Sequence, residues 1–387
     1  MLQPKLGGRL RFADIRLVIG TRPEAIKIAP LARALVARGA EPTLTFTGQH
    51  ALRSEEFGLN DLATHDLDCP GREDPHEHVR AVTDALIPHL IDRPDLLVVQ
   101  GDTSSALGAA LAGFTAAVPV AHVEAGLRTF DPALPWPEEE YRTAIDAHAS
   151  LLFAPTDRAA ANLRAEGVPG AIFVTGNTAI DALLDVEARL PTVGLSESNG
   201  KRLLVTCHRR ESWGDGVAFI ASALRAIARQ GVEVDVVLHP NEHLAASMRA
   251  SLAGVPGINL LDPCGHDELV GRMRLATLIL SDSGGIQEEA PALGIPLLIL
   301  RDRTERPEGI LSGNSILVGR DPEAIRVIVD PLLSDNAAFA QMSRPSLPFG
   351  DGRASSRIAA AIEDYLRRNC PEAEMVTPTG LEPVFSP

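Results

Sequence analysis

Three acidic side chains occupy positions from which a proton could be taken from a substrate and returned to it. Asp102, Glu124 and Glu138 each lie where an apolar segment ends or a helical segment begins, within the stretch 101–142. In an open α/β sheet, such positions meet at the edge where ligands bind. Carboxylates gathered in one crevice shift one another's pKa and can divide acid and base duties. The spacing therefore predicts a proton-transfer site.

Two of the three carboxylates also have an ordinary structural explanation. Asp102 precedes TSSAL and could cap a helix, and Glu138 follows Pro137, where acidic residues suit the first turn of a helix. Glu124 ends an apolar strand, where a buried carboxylate needs a partner or a function. Glu124 is therefore the strongest of the three candidates.

A second pattern points to an anionic ligand. Ser283, Gly284 and Gly285 follow the apolar strand TLIL and open a helix, whose free N–H groups and dipole favour a phosphate. Glu288 and Glu289 lie further along that helix and could accept hydrogen bonds from ribose hydroxyls. An Asp/Ser cap on a tight turn is the simpler alternative for this segment.

Basic side chains follow two other strands. Arg22 and Lys27 lie at the mouth of the first βα unit, where an arginine can clamp phosphate oxygens and a lysine acts as a point charge. His208 follows the strand RLLVTC. An exposed helix face would explain Lys27 equally well, and a structural histidine would explain His208.

Apolar strand-like runs alternate with helical segments along the whole chain, which predicts an α/β fold with parallel sheets. With 387 residues, 45% of them hydrophobic and 4% aromatic, the chain is expected to form two domains. We expect a flexible extension over 1–13, a first domain over 14–185, a second domain over 186–353 and a disordered tail over 370–387. A helix over 354–369 follows the last predicted strand, at 295–302, and could pack on either domain.

Composition excludes several classes of protein. The net charge of −15 argues against a nucleic-acid surface, and the sequence has neither a signal peptide nor a membrane-spanning run. The four cysteines show no metal-binding spacing, as expected for a protein of the reducing cytoplasm. We also discount His76–His78 and the pair His239/His243 as metal ligands.

The chain resembles a known family through motifs that recur in order from Gly20 to about Arg357. They are GTRPEAIKIAPL (20–31), TGQH (47–50), GDTSSALG (101–108), HVEAGLRT (122–129), PWPEE (135–139), TGNTAIDALL (175–184), HRRES (208–212), DSGGIQEEAPALGIP (282–296) and RDRTERPEG (301–309). Together they resemble the non-hydrolysing UDP-N-acetylglucosamine 2-epimerases.

The resemblance implies two Rossmann-like domains facing a cleft, as in glycosyltransferase-B enzymes, with the C-terminal helix crossing back to the first domain. It implies interconversion of UDP-GlcNAc and UDP-ManNAc for polysaccharide biosynthesis by a cytoplasmic homodimer, with neither a metal nor another cofactor such as nicotinamide. The implied route is anti elimination of UDP to a 2-acetamidoglucal and re-addition on the other face.

By the same resemblance, each candidate residue receives a role. Asp102, Glu124 and Glu138 would handle the C2 proton, while Arg22, Lys27 and His208 would stabilise the departing diphosphate. The residues expected to hold the nucleotide are Ser283, Gly284, Gly285, Glu289 and Arg142. The residues expected near an allosteric UDP-GlcNAc are Gln49, His50 and His239.

The sequence departs from the family pattern at Cys207 and in the loop HPNEH at 239–243, which leaves the allosteric role open. Four alternatives also stay open at this point. They are an epimerase for a 2,3-diacetamido uronic acid sugar, a hydrolysing epimerase, a glycosyltransferase of the same architecture and a non-catalytic UDP-sugar binder.

Overall fold

The computed structural model describes residues 13–191, 201–207 and 215–369. The expected tail, and the expected extension apart from residue 13, therefore lie outside the described residues. His208 lies outside them as well.

The first half of the chain forms one parallel sheet of seven strands, in the order β3-β2-β1-β4-β5-β6-β7. Its strands are β1 (Ile15–Ile19), β2 (Thr43–Phe46), β3 (Thr64–Asp66), β4 (Leu96–Gln100), β5 (Val120–Val123), β6 (Leu151–Ala154) and β7 (Ala171–Val174). The helices of this half are α1 (Arg22–Val36), α2 (Pro75–Leu86), α3 (Ser104–Thr115), α4 (Glu138–Asp146), α5 (Asp157–Glu166) and α6 (Thr178–Glu187). The central strand β4 is buried along its whole length, which explains its nearly unbroken apolar sequence.

The second half forms a parallel sheet of six strands, in the order β10-β9-β8-β11-β12-β13. Its strands are β8 (Arg202–Thr206), β9 (Glu233–Val237), β10 (Ile258–Leu261), β11 (Leu278–Ser281), β12 (Leu297–Ile299) and β13 (Ser315–Leu317). The helices are α7 (Asp215–Ala228), α8 (Glu242–Leu252), α9 (His266–Leu275), α10 (Gly284–Leu293), α11 (Glu308–Leu311), α12 (Pro322–Ser334) and α13 (Asn336–Met342).

Both sheets reverse their strand order in the middle, between β1 and β4 in the first and between β8 and β11 in the second. Open α/β sheets bind ligands at such reversals, beyond the carboxyl ends of the strands. Asp102 follows β4 and Ser283 follows β11, so in each sheet candidate residues lie at the strand-order reversal, beyond the carboxyl end of a strand. The prediction of an α/β fold with two Rossmann-like sheets facing a cleft is confirmed.

The last helix, α14 (Ala354–Asn369), returns from the second sheet to the first. Ile358, Ile362 and Leu366 pack into the core of the first sheet, and the helix contacts α1 and α6. Asp181 on α6 accepts hydrogen bonds from the backbone N–H groups of Ala354 and Ser355, at 3.1 and 2.8 Å. The predicted crossing of the C-terminal helix is thus confirmed.

Two short elements differ from the sequence-based prediction. From its sequence, the run DLDC at 66–69 is expected to form a strand; this is wrong, because β3 covers Thr64–Asp66 and Asp68 takes a left-handed φ of 50°. The three-residue strand β13 was missed, since three residues are too few to establish an alternating pattern. Within the described ranges, we find no helix with the length and apolarity needed to cross a membrane.

Replacing Ile362 by alanine is expected to lower the free energy of unfolding by about 2–5 kcal/mol, because it leaves a cavity between α14 and the first sheet. Denaturant unfolding followed by circular dichroism measures the change. Arg368→Ala is the matched control, since Arg368 is exposed on the same helix and its loss should cost less than about 0.5 kcal/mol. Equal losses in both variants would contradict this account of how α14 is held.

Candidate active site

A cleft of about 950 Å³ lies between the two sheets, and residues from both halves line it. The predicted residues on its wall are Lys27, Gln49, His50, Asp102, Glu124, Glu138, His239, Ser283, Gly284, Gly285 and Glu289. Arg22 and Arg142 are not on this wall. The structure thus gathers most of the candidate residues, from widely separated segments, around one space.

Glu124 lies at the centre of a buried cluster of charges. It follows β5 directly, with a left-handed φ of 74° and a side chain that is 4% exposed. Lys27 Nζ and Arg306 Nη2 each lie 2.5 Å from a Glu124 carboxylate oxygen, and the Gln100 amide donates to the same group. Burial alone would raise the pKa of Glu124, but Lys27 and Arg306 outweigh burial and lower it. Glu124 is therefore a carboxylate at neutral pH.

Arg306 joins the two halves of the molecule, and sequence reasoning assigned it no role. It belongs to the loop between β12 and α11, yet it pairs with Glu124 from the first half. The guanidinium also bonds Glu288 at 2.5 Å and its neighbour Glu305. Its sequence signal was membership of the motif RDRTERPEG (301–309), soon after a buried strand, but the segment has no periodic pattern that would single out this arginine.

The environment of Glu288 corrects one expectation for α10. Its carboxylate contacts Arg306 and is not on the wall of the cleft, so its position does not suit a ribose contact. Burial raises the pKa of Glu288 to about 7, against the opposing effect of Lys27 and Arg306. Of the two glutamates that were candidates for the ribose, only Glu289 faces the cleft.

Asp102 is held by an arginine and does not cap a helix. Thr103 is the N-cap of α3, because its hydroxyl accepts from the backbone N–H of Ala106 at 3.1 Å. The Asp102 carboxylate accepts from Arg142 Nε at 2.9 Å and from a second Arg142 nitrogen. Burial raises the pKa of Asp102, but Arg142 outweighs it and the net shift is downward. The simple capping explanation for Asp102 is wrong.

The third carboxylate, Glu138, is the first residue of α4 and faces the cleft. Its neighbour Glu139 turns away and accepts from the backbone N–H groups of Thr129 and Phe130, both at 2.9 Å. Glu139 also pairs with Arg142 at 2.6 Å. Arg142 therefore links Asp102 to the first turn of α4, which also carries Glu138. Asp102 and Glu138 are thereby fixed relative to each other.

The mouth of the first βα unit differs from the expected phosphate site. Glu24 accepts hydrogen bonds from the backbone N–H groups of Gly20 at 2.5 Å and Thr21 at 3.2 Å. These donors are consequently engaged by a side chain of the protein itself. Arg22 points away from the cleft and pairs with Glu56 at 2.6 Å. Burial raises the pKa of Glu24 to about 7.

The N-terminus of α10 does suit an anion. Ser283 is its N-cap and makes no capping bond through its side chain, and Ser283, Gly284 and Gly285 all line the cleft. A Cβ on Gly284 would lie 3.0 Å from Arg306 Nη1, so the close approach of that guanidinium favours glycine there. Backbone donors and a buried arginine are therefore adjacent at this end of the helix.

The three residues linked with allosteric regulation face the same cleft as the other candidates. Gln49 accepts from the Ser105 hydroxyl at 2.7 Å, and His50 Nδ1 accepts from the Arg22 backbone N–H at 3.2 Å. Burial and the charge of Arg22 lower the pKa of His50. His239 contributes to the wall from the second half.

A second buried network supports the loops that carry Asp102 and Glu124. His122 on β5 contacts the Asp146 carboxylate through Nδ1 at 2.6 Å and the Gly101 carbonyl through Nε2 at 2.8 Å. Asp146 in turn accepts from the Gly126 N–H at 3.0 Å and pairs with Arg128 at 2.8 Å. One histidine–aspartate pair thereby fixes the residue before Asp102 and the loop after Glu124.

In the parts of the chain that the structure describes, no three His, Cys, Asp or Glu side chains are grouped to hold a metal ion. The arrangement instead offers two ionised carboxylates, a third carboxylate nearby, two buried cations and a helix N-terminus. Such a set can move protons on a substrate whose anionic group is bound at α10.

Comparison with known proteins agrees with this geometry. The family model described as UDP-N-acetylglucosamine 2-epimerase matches residues 33–363. A probable UDP-N-acetylglucosamine 2-epimerase of Ralstonia solanacearum is 44% identical over 371 residues, covering 91% of this chain and 99% of the relative. The UDP-N-acetylglucosamine 2-epimerase of Yersinia pestis is 44% identical over 368 residues, covering 90% and 98%.

A solved structure of similar shape is the UDP-GlcNAc 2-epimerase of Neisseria meningitidis bound to UDP-GlcNAc. It superposes with a TM-score of 0.84 at 34% identity, covering 91% of this chain and all of that one (100%). Sequence, fold and the composition of the cleft agree, and the chain belongs to the UDP-N-acetylglucosamine 2-epimerase family.

Proposed function

We propose that this protein interconverts UDP-N-acetylglucosamine and UDP-N-acetylmannosamine by inverting carbon 2 of the sugar. The observation that carries the proposal is the buried cluster of Lys27, Glu124 and Arg306, which spans the cleft beside the N-terminus of α10. It places a carboxylate and two cations together where a diphosphate sugar would react. Family membership supports the same substrate class.

The cleft offers separate places for the parts of such a substrate. The N-terminal turn of α10, with Ser283, Gly284 and Gly285, suits the diphosphate because its N–H groups and dipole favour negative charge. Glu289 faces the cleft from the same helix and can accept from the ribose hydroxyls. The sugar then lies towards the first sheet, where Asp102, Glu124 and Glu138 line the wall.

The reaction proceeds by elimination and re-addition. A hydrogen on C2 of the sugar has no adjacent carbonyl, so its direct removal is very unfavourable. When a base takes that proton, the C–H electrons form the C1–C2 double bond, the C1–O bond breaks and its electrons leave with UDP. The 2-acetamidoglucal then accepts a proton at C2 on the opposite face, while the UDP oxygen adds back to C1. No oxidant or reductant is needed.

Inversion requires proton-transfer groups on two faces of C2, and the cleft provides more than one carboxylate. Asp102 and Glu124 have lowered pKa values and are ionised at neutral pH, so both are available as bases. Glu138 enters from a different element, α4, and completes the set. Arg142 pairs with both Asp102 and Glu139, and these ion pairs hold Asp102 in a fixed position relative to the start of α4, where Glu138 lies.

Lys27 and Arg306 suit the stabilisation of the leaving diphosphate. Both are buried cations whose pKa values are raised: burial lowers each pKa, and their acidic partners outweigh it. They remain charged while negative charge develops on the UDP oxygen, and their burial strengthens that attraction. The expected contribution of His208 to the same step stays a proposal, based on the HRRES motif.

The cleft must retain UDP and the glucal until they recombine. Contacts link the two halves: Arg303 pairs with Asp131 at 3.3 Å, and the Thr156 hydroxyl donates to Glu308 at 2.7 Å. Together with Arg306–Glu124, they join the second half to loops of the first. Exclusion of water would keep the released intermediate from escaping or being hydrolysed.

In heavy water, UDP-N-acetylglucosamine is expected to acquire deuterium at C2 as UDP-N-acetylmannosamine forms, because the abstracted proton exchanges with solvent before its return. Proton NMR of the nucleotide sugars follows both events. Accumulation of free N-acetylmannosamine and UDP would indicate a hydrolysing enzyme, and reaction only with a 2,3-diacetamido uronic acid sugar would reassign the substrate. Unchanged substrate without deuterium would refute the proposal.

Glu138→Gln and Asp102→Asn are each expected to reduce kcat by about 10²- to 10⁴-fold, because each removes a proton-transfer group. UDP affinity, measured by calorimetry, should change little. Glu140→Gln is the matched control: Glu140 is exposed on the same helix as Glu138 and outside the cleft, so this variant should keep wild-type kcat. If the Glu138 and Asp102 variants lose stability but retain full turnover, the assigned roles are wrong.

A further inference from the structure

His266 and Glu289 form a hydrogen-bonded pair on the wall of the cleft. His266 is the first residue of α9, and its Nε2 lies 2.8 Å from Glu289 Oε1 on α10. The two side chains are 12% and 7% exposed, and both line the cleft. Leu269, one turn further along α9, lies on the same wall. A partly buried, titratable side chain is thus fixed to the glutamate proposed for the ribose.

The charged groups around His266 favour its protonated form. Glu289 faces it from α10, Asp267 lies beside it on α9, and Arg189 approaches from the end of α6 while pairing with Asp267 at 3.3 Å. Burial lowers the pKa of His266, but the bond to Glu289 and the charges of Glu289 and Asp267 outweigh burial and Arg189, so the net shift is upward.

We propose that His266 sets the affinity of the cleft for the nucleoside diphosphate by orienting Glu289 and balancing its charge. The inference rests on the proposed function, since it assumes that Glu289 receives ribose hydroxyls. The bond to His266 uses Oε1, so a ribose hydroxyl can donate to Oε2. Without His266, the carboxylate would be free to rotate, and the binding geometry would have to be formed at each encounter.

The charge of His266 matters because the diphosphate site is close. Glu289 lies five residues after Gly284 on α10, which is about 7.5 Å along the helix axis. An uncompensated carboxylate at that distance, partly shielded from water, repels a bound diphosphate. Protonated His266 cancels this charge in a chain that already carries −15.

The affinity for the nucleotide sugar is expected to fall as the pH rises. Below the pKa of His266 the imidazolium balances the charge of its partner carboxylate, and nucleotide binding is favoured. As the pH rises through that pKa, His266 loses its charge, this balance is lost, and the KM for the nucleotide sugar rises. A neutral histidine can still donate through Nε2, so the orientation of Glu289 persists and only the electrostatic part is lost.

Initial rates with UDP-N-acetylglucosamine between pH 6.5 and 8.5 test the inference. The wild-type KM is expected to rise about three- to tenfold across the range. His266→Gln keeps a donor that cannot be charged, so its KM should match the wild-type value at high pH and lose the His266-dependent rise. His266→Ala should have a KM about tenfold higher than wild type at low pH. In both variants kcat should change less than KM.

His243→Gln is the matched control, because His243 is exposed on α8 and outside the cleft; it should follow the wild-type profile. A wild-type KM that falls with pH, or a His266→Gln profile parallel to wild type, would overturn the inference and leave the proposed function intact. Absence of turnover in the wild type at every pH would instead refute the proposed function, and the role of His266 with it.

Discussion

The burial of one carboxylate, Glu124, constrains the rest of the site. A buried carboxylate without partners is strongly destabilising. This one forms ion pairs with Lys27 of α1 and with Arg306 of the second half, and it accepts a hydrogen bond from the Gln100 amide of β4. Its neutralisation therefore depends on both halves being in place. The same contacts lower the pKa of Glu124 and bring two cations beside the helix that can bind a diphosphate. Stability and chemistry here depend on one set of contacts.

Backbone geometry explains how Glu124 reaches that position. A strand directs successive side chains to opposite faces, and a left-handed φ of 74° turns the chain immediately after β5. Such a conformation is costly for a residue with a Cβ and persists only when its surroundings fix it. The His122–Asp146 pair supplies that support, because it binds the Gly101 carbonyl on one side and the Gly126 N–H on the other. These buried groups hold the loops bearing Asp102 and Glu124 in a single arrangement.

The sequence predicted the features that depend on local residue patterns, and it missed side chains whose positions depend on contacts with residues distant in the chain. Alternating apolar strands and helices identified the fold, and residues at strand ends identified most of the wall of the cleft, because parallel strands bring their carboxyl ends to one edge. Glu24 and Arg306 were missed as site residues: their positions depend on partners up to 182 residues away in sequence. A capping role for Asp102 stayed open beside the chemical one, because adjacent capping residues cannot be distinguished until Arg142 is seen to hold the aspartate.

An acidic chain that binds an anionic ligand must concentrate its positive charge. In the cleft, Lys27 and Arg306 are surrounded by Glu124, Glu288 and Glu305, so an unoccupied site does not carry a large excess of positive charge. A diphosphate entering beside α10 would share these cations with the carboxylates, which would raise the proton affinity of Glu124 as its partners are drawn away. Binding of the leaving group would then make the neighbouring carboxylate a better base. On the proposed function, nucleotide binding and proton abstraction would be coupled in this way through Lys27 and Arg306, the cations that the two groups share.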